Sequence, residues 1–213
     1  MTPLHASPAA RVVSAPVDAE SGPPTVQGKF FWTGTEKFYV RAVSYGPFAT
    51  ASHGDQFPER DMIERDFALI RELGANTLRT FTVPSRWLLD RAEAHGLRVL
   101  IGIPWAEHVC FLDAPHLAEE IRETIRRAVR GSAGHPGVFA YMIGNEIPSD
   151  IVRWYGPERI QAFLHELRDE VKALAPSALV SYANFPPTEY LDLEEVDFVC
   201  FNVYLHQEDD FRR

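Results

Sequence analysis

Six short apolar runs recur along this chain, at residues 39–45, 77–81, 98–103, 138–143, 179–182 and 198–203, and amphipathic stretches fill most of the intervals. Apolar runs of this length read as strands buried on both faces, as in a parallel sheet covered by helices. Met62, Ile63, Phe67, Ile70 and Leu73 recur at helical spacing, with Asp61 and Glu64 resembling a capping box and Gly74 a C-terminal stop. A second amphipathic segment spans 84–95 and closes at Gly96. A third, marked by Ile121, Ile125, Ala128 and Val129, closes at Gly131. A fourth opens with Pro157, carries Ile160, Phe163, Leu164, Leu167, Val171 and Leu174 on one face and stops at Pro176; a shorter one is expected over 188–194. Strands alternating with helices at this spacing imply βα units and a parallel sheet. With no Gly-x-Gly-x-x-Gly after the first strand and no Gly-Lys-Ser/Thr, a nucleotide-binding sheet is disfavoured. The predicted fold is α/β, a TIM-barrel or (β/α)8 type left incomplete at about six βα units. A hairpin turning at Gly34 precedes it.

In such a barrel the C-terminal strand ends carry the chemistry. The run at 138–143 ends in Gly144-Asn145-Glu146, which places an amide beside a carboxyl group able to move a proton. The first strand ends near Ser44 and Tyr45, and the second carries Arg79 and ends at Phe81. The third leads to Trp105, Glu107 and His108, the fifth to Tyr182 and Asn184, and the sixth to Asn202, Tyr204 and His206. Aromatic rings stack on the apolar faces of sugars, and Asn, Arg and His bind hydroxyls. This mixture fits a polyhydroxylated neutral substrate better than a phosphate.

Four passages, in this order and spacing, resemble the catalytic barrel of clan A glycoside hydrolases of the family 2 and family 5 type. They are the strand 38–45, Leu73-Gly74-Ala75-Asn76-Thr77-Leu78-Arg79-Thr80, Gly144-Asn145-Glu146, and the stretch 197–204. The resemblance covers 28–213 and implies a retaining glycoside hydrolase acting on a β-linked glycan or glycoside. It implies that Glu146 is the general acid/base, with its pKa raised by a nearby second carboxylate, and that Asn145 binds the 2-hydroxyl of the cleaved sugar. It further implies that Arg79 lies under the nucleophile, that Tyr204 hydrogen-bonds it, and that Trp105 and His108 line sugar subsites. Asn202 and Tyr45 complete the expected substrate-binding set. Clan A enzymes take their nucleophile from a Glu at the end of a seventh strand, which this sequence does not contain. The expectation is a barrel truncated after its sixth strand, inactive alone, within a longer parent chain that could hold additional domains. A transglycosylase and a non-catalytic or degenerate carbohydrate-binding barrel are the alternatives; a metal-dependent barrel hydrolase ranks last.

Composition closes off other classes. A formal net charge of −9, with no run rich in Lys and Arg, argues against nucleic acid or an anionic membrane as partner. No apolar stretch approaches a membrane span of roughly 18 residues, and the N-terminus lacks a secretory pattern, so a cytoplasmic location is expected. Residues 1–27, rich in Pro, Ala and Ser, read as a disordered lead-in. Cys110 and Cys200 read as reduced, partly buried thiols. His108, Cys110, Asp113 and His116 match no ligand pattern, so no metal and no cofactor is expected. Glu107 as a substitute second carboxylate is set aside because it follows strand three. Gly131-Ser132-Ala133-Gly134 lacks the spacing of a hydrolase elbow.

Overall fold

The computed structural model describes residues 22–50 and 56–212. The N-terminal part forms a small antiparallel sheet of β1 (Thr25–Gln27), β2 (Phe30–Thr33) and β3 (Glu36–Phe38), in the order β1-β2-β3. Gly34, at φ +58°, makes the turn between β2 and β3, a backbone conformation that glycine adopts without steric cost. The expected lead-in lies outside the described residues up to position 21. Its last three residues differ from expectation, since Thr25, Val26 and Gln27 pair with β2.

The main sheet contains β4 (Ala42–Tyr45), β5 (Thr77–Thr80), β6 (Arg98–Gly102), β7 (Val138–Asn145), β8 (Leu179–Asn184) and β9 (Cys200–Phe201). All neighbours pair parallel, and sequence order equals spatial order. This is the expected incomplete barrel, a curled six-stranded half-barrel. Between the strands run α1 (Arg60–Glu72), α2 (Arg86–Ala94), α3 (Pro115–Ser132), α4 (Ser149–Tyr155) and α5 (Pro157–Leu174). A short α6 (Glu208–Phe211) follows β9. No helix among the described residues is long and apolar enough to cross a membrane.

Alternation along the strands separates two apolar layers. Val99, Ile101, Tyr141, Ile143, Val180 and Tyr182 face the helices and join the larger core with Phe67, Leu89, Ile125, Phe163 and Leu167. Leu100, Phe139, Met142, Leu179 and Ala183 form the inner layer. Phe31 and Phe38 of the small sheet close that layer from below, with Phe31 edge-on to Phe139 at 5.1 Å and to Phe198 at 5.0 Å. β4 and β9 are the edges of the sheet, and both line an apolar trough of about 530 Å³.

Several helix expectations are corrected. The Asp61–Glu64 capping box does not form: Glu59 is the N-cap, without a side-chain cap bond, and Glu64 instead binds Arg91 and His95. The third helix runs through Gly131 to Ser132, so Gly131 is no stop. The expected helix over 188–194 is replaced by one 3₁₀ turn at Pro186–Thr188. Helix α4 is an addition that sequence periodicity did not mark.

Candidate active site

The site is built at the upper end of β7. Register with β8 shifts between Met142 and Asn145, so the strand leaves regular pairing as it reaches Gly144-Asn145-Glu146. Gly144 lets the neighbouring rings pack closely there, since a Cβ would lie 3.0 Å from Trp105 Cζ2 and 3.3 Å from Tyr182 Cε2. Glu146 takes φ +52° and is the only non-glycine residue with positive φ among the described residues. A non-glycine residue in the left-handed region is strained, and such strain concentrates at functional sites.

Hydrogen bonds join three strand ends into one network. Arg79, on β5, donates from Nη1 to Asn202 Oδ1 at 2.6 Å and from Nη2 to Asn145 Oδ1 at 2.7 Å. Asn202, just past β9, donates from Nδ2 to Asn145 Oδ1 at 3.0 Å and to Glu146 Oε1 at 2.7 Å. The Tyr204 hydroxyl donates to the same Glu146 oxygen, and that bond raises the Tyr204 pKa above its ordinary value. Positions 79, 145, 146, 202 and 204, up to 125 residues apart in sequence, thus converge. Arg79 reaches amide oxygens here, and Tyr204 reaches Glu146 itself.

The remaining expected residues divide. Tyr45 does not join the cluster, and its expected substrate role is corrected: its ring is buried against Phe48 and Phe67, and its hydroxyl donates to Asp66 Oδ2 at 2.8 Å. Trp105 is at the site, but its indole N–H donates to Ile143 O at 2.7 Å and its ring packs edge-on to Phe111 at 5.0 Å. His108 is exposed beside Glu107. Cys110 is exposed, not partly buried as expected, while Cys200 is half-buried with its thiol pKa raised by burial. Among the described residues no group of three or more His, Cys, Asp or Glu could hold a metal.

Sequence reasoning missed the part played by Glu107. Its Oε1 accepts the Asn145 backbone N–H at 3.2 Å, and burial raises its pKa. With Arg79, Thr80, Gly102, Gly144 and Asn145 it lines a cavity of about 170 Å³.

The profile of the glucanosyltransferase family of glycoside hydrolases matches residues 14–178. The chain belongs to the glucanosyltransferase family. This places it among clan A glycoside hydrolase-type barrels, as the resemblance implied, but in the glucanosyltransferase family and not the family 2 or family 5 type that was expected. A 1,3-beta-glucanosyltransferase of Aspergillus fumigatus is 26% identical over 201 residues, covering 85% of this chain and 44% of that protein. A beta-glucuronidase of Sus scrofa is 29% identical over 150 residues, covering 67% of this chain and 22% of that protein. The chain thus spans less than half the length of these relatives. Among solved structures, Bifidobacterium dentium beta-glucuronidase complexed with coumarin-3-O-glucuronide superposes with a TM-score of 0.71 at 22% identity, covering 85% of this chain and 30% of that one. Ruminococcus gnavus beta-glucuronidase in complex with D-glucuronic acid gives 0.71 at 16%, covering 85% and 30%. At these identities the structures establish the shared barrel fold alone.

Proposed function

We propose that this glucanosyltransferase-family chain carries the acid/base half of a retaining transglycosylation site for β-1,3-glucan, with Glu146 as general acid and then general base. The observation that carries the reading is the network Arg79–Asn145–Asn202–Glu146–Tyr204, which fixes one carboxyl group at a strand end on a strained backbone. In the first step Glu146 gives its proton to the glycosidic oxygen as the C1–O bond breaks and a second carboxylate bonds to C1. In the second step Glu146 takes a proton from an incoming sugar hydroxyl, whose oxygen displaces that carboxylate. Asn145 receives Arg79 and Asn202 on its Oδ1, leaving Nδ2 to donate to a sugar hydroxyl beside the reacting carbon. Arg79 keeps both amides oriented for this role.

The retaining reaction requires the two carboxyl groups about 5 Å apart. Glu107, the carboxylate lining the cavity beside Asn145, is engaged with a backbone N–H, so we assign the nucleophile to a segment outside the residues described. The substrate reading draws on the curated relatives, several of which are 1,3-beta-glucanosyltransferases.

The test is incubation of the full-length protein with a reduced β-1,3-gluco-oligosaccharide, with products resolved by mass. Transfer yields products longer than the donor together with shorter ones. Only shorter products would indicate hydrolysis, and binding without turnover would replace the reading with a carbohydrate-binding barrel.

A further inference from the structure

The segment Ile143–Ile147 carries Glu146 while leaving the sheet, so its backbone groups lose regular ladder partners and must find others. Four contacts supply them. Trp105 Nε1 donates to Ile143 O at 2.7 Å, and Asn145 N donates to Glu107 Oε1 at 3.2 Å. Glu146 N donates to Ala183 O at 2.9 Å, and Ile147 N donates to the Tyr182 hydroxyl at 2.8 Å. Three of the four are side chains reaching in from neighbouring strand ends. Strained backbone persists only where its surroundings over-determine it.

Trp105 and Tyr182 also fill space against Gly144 and within the core, which accounts for their presence on packing grounds alone. Glu107 has no such account. It is a partly buried carboxyl group whose backbone partners are its own N–H and that of Asn145, one residue before the strained position. Partly burying a carboxyl group is unfavourable unless the bonds it makes compensate.

We infer that Glu107 is a positioning residue, whose carboxyl oxygen holds the Asn145 N–H and so keeps Glu146 directed at Asn202 and Tyr204. Its catalytic consequence rests on the proposed role of Glu146, but its structural consequence does not. An acceptor at that point fixes the carbonyl–amide plane between Gly144 and Asn145, from which the direction of the Glu146 side chain follows. Without it the plane turns, and Glu146 reaches the glycosidic oxygen in fewer productive encounters.

The test uses the full-length protein with Glu107→Gln, Glu107→Asp and Glu107→Ala. Gln keeps an oxygen acceptor at the same reach without the charge, Asp keeps the charge but draws the acceptor back by one methylene, and Ala removes both. Two quantities are read: kcat and KM for β-1,3-gluco-oligosaccharide transfer, and amide hydrogen exchange of the peptide covering 143–147, which needs no turnover. Glu107→Ala and Glu107→Asp are expected to lower kcat about 100-fold with KM nearly constant, the cost of a misplacement near 1 Å. Both should quicken exchange in 143–147 roughly tenfold. Glu107→Gln should recover both to within about threefold, and this order also keeps the test decisive if the Ala variant does not fold. A Gln variant as impaired as Ala overturns the inference, because an oxygen acceptor at the same reach would then not be enough. A large rise in KM at constant kcat also overturns it, placing Glu107 on the sugar through the cavity it shares with the unpartnered Thr80 hydroxyl. Exchange unchanged in Ala and Asp removes the backbone contact. If the unmodified protein has no transfer activity, the proposed function fails, while exchange alone still decides whether Glu107 holds the segment.

Discussion

Replacing Glu146 by glycine and, separately, by alanine isolates the strain stored at the proposed catalytic residue. Both substitutions remove the carboxyl group and its contacts with Asn202 and Tyr204, so those losses cancel in the comparison. What remains is the backbone at φ +52°. An L side chain in the left-handed region costs roughly 1–2 kcal/mol that glycine escapes. Against this, glycine gives up about 0.4–1 kcal/mol through the greater freedom of its unfolded chain. The balance favours Glu146→Gly over Glu146→Ala by about 1 kcal/mol, which for a domain of this size corresponds to a melting temperature roughly 2–4 °C higher. The order is the reverse of that at an ordinary helical site. At exposed Glu120 in α3, Glu120→Gly should be about 1 kcal/mol less stable than Glu120→Ala. Thermal melts followed by circular dichroism measure all four variants. If Glu146→Gly melts below Glu146→Ala, as at Glu120, the left-handed strain is absent and the argument built on it fails.

Two further outcomes follow from local geometry. At Gly102 a Cβ would lie 2.3 Å from Thr80 O, a backbone atom of the neighbouring strand, so Gly102→Ala should cost about 3 kcal/mol as an overpacking lesion; urea unfolding with an unchanged midpoint would contradict it. Glu64 has its pKa held down to about 2, against 4.5, by hydrogen bonds first from Arg91 and then from His95. Because the folded-state pKa is depressed, its stabilisation is complete above the unfolded value and is lost as pH falls from about 5 towards 2. Glu64 and Arg91 are each more than a third exposed, so screening limits the effect to about 1 kcal/mol or less. Glu64→Gln should flatten that part of the stability–pH curve, and an unaltered slope would show that the pairing carries no weight.

The elements legible in the sequence were those whose signal is local and periodic. The face carrying Ile160, Phe163, Leu164, Leu167 and Val171 gave α5 its correct start at Pro157, because burial of one stripe repeats at helical spacing. The convergence of Glu146, Asn145, Arg79, Asn202 and Tyr204 was legible because each stands at or just beyond a strand end. The failures involve partners far away in sequence or lacking a side-chain identity. Glu64 has the spacing of a capping box, yet its carboxylate goes to Arg91 and His95, 27 and 31 residues on. A tyrosine at a strand end looks the same whether its hydroxyl faces substrate or, as in Tyr45, turns back to Asp66. The contact made by Glu107 was not legible because its partner is a backbone N–H, which every residue but proline has and which leaves no trace in composition or spacing. Pro186 and Pro187 could have warned against a helix over 188–194, where Leu191 and Leu193 are buried in a loop.

The claim at the centre of this account is that Glu146 moves the proton at a glycosidic oxygen. Product formation from a β-1,3-gluco-oligosaccharide by the full-length protein, compared with its Glu146→Gln variant, tests it most directly. Glutamine preserves the side-chain oxygen available to Asn202 and Tyr204 but cannot exchange a proton, so transfer should fall by about 10²–10⁴-fold while the folded structure is kept. Undiminished transfer by Glu146→Gln would remove Glu146 from the mechanism.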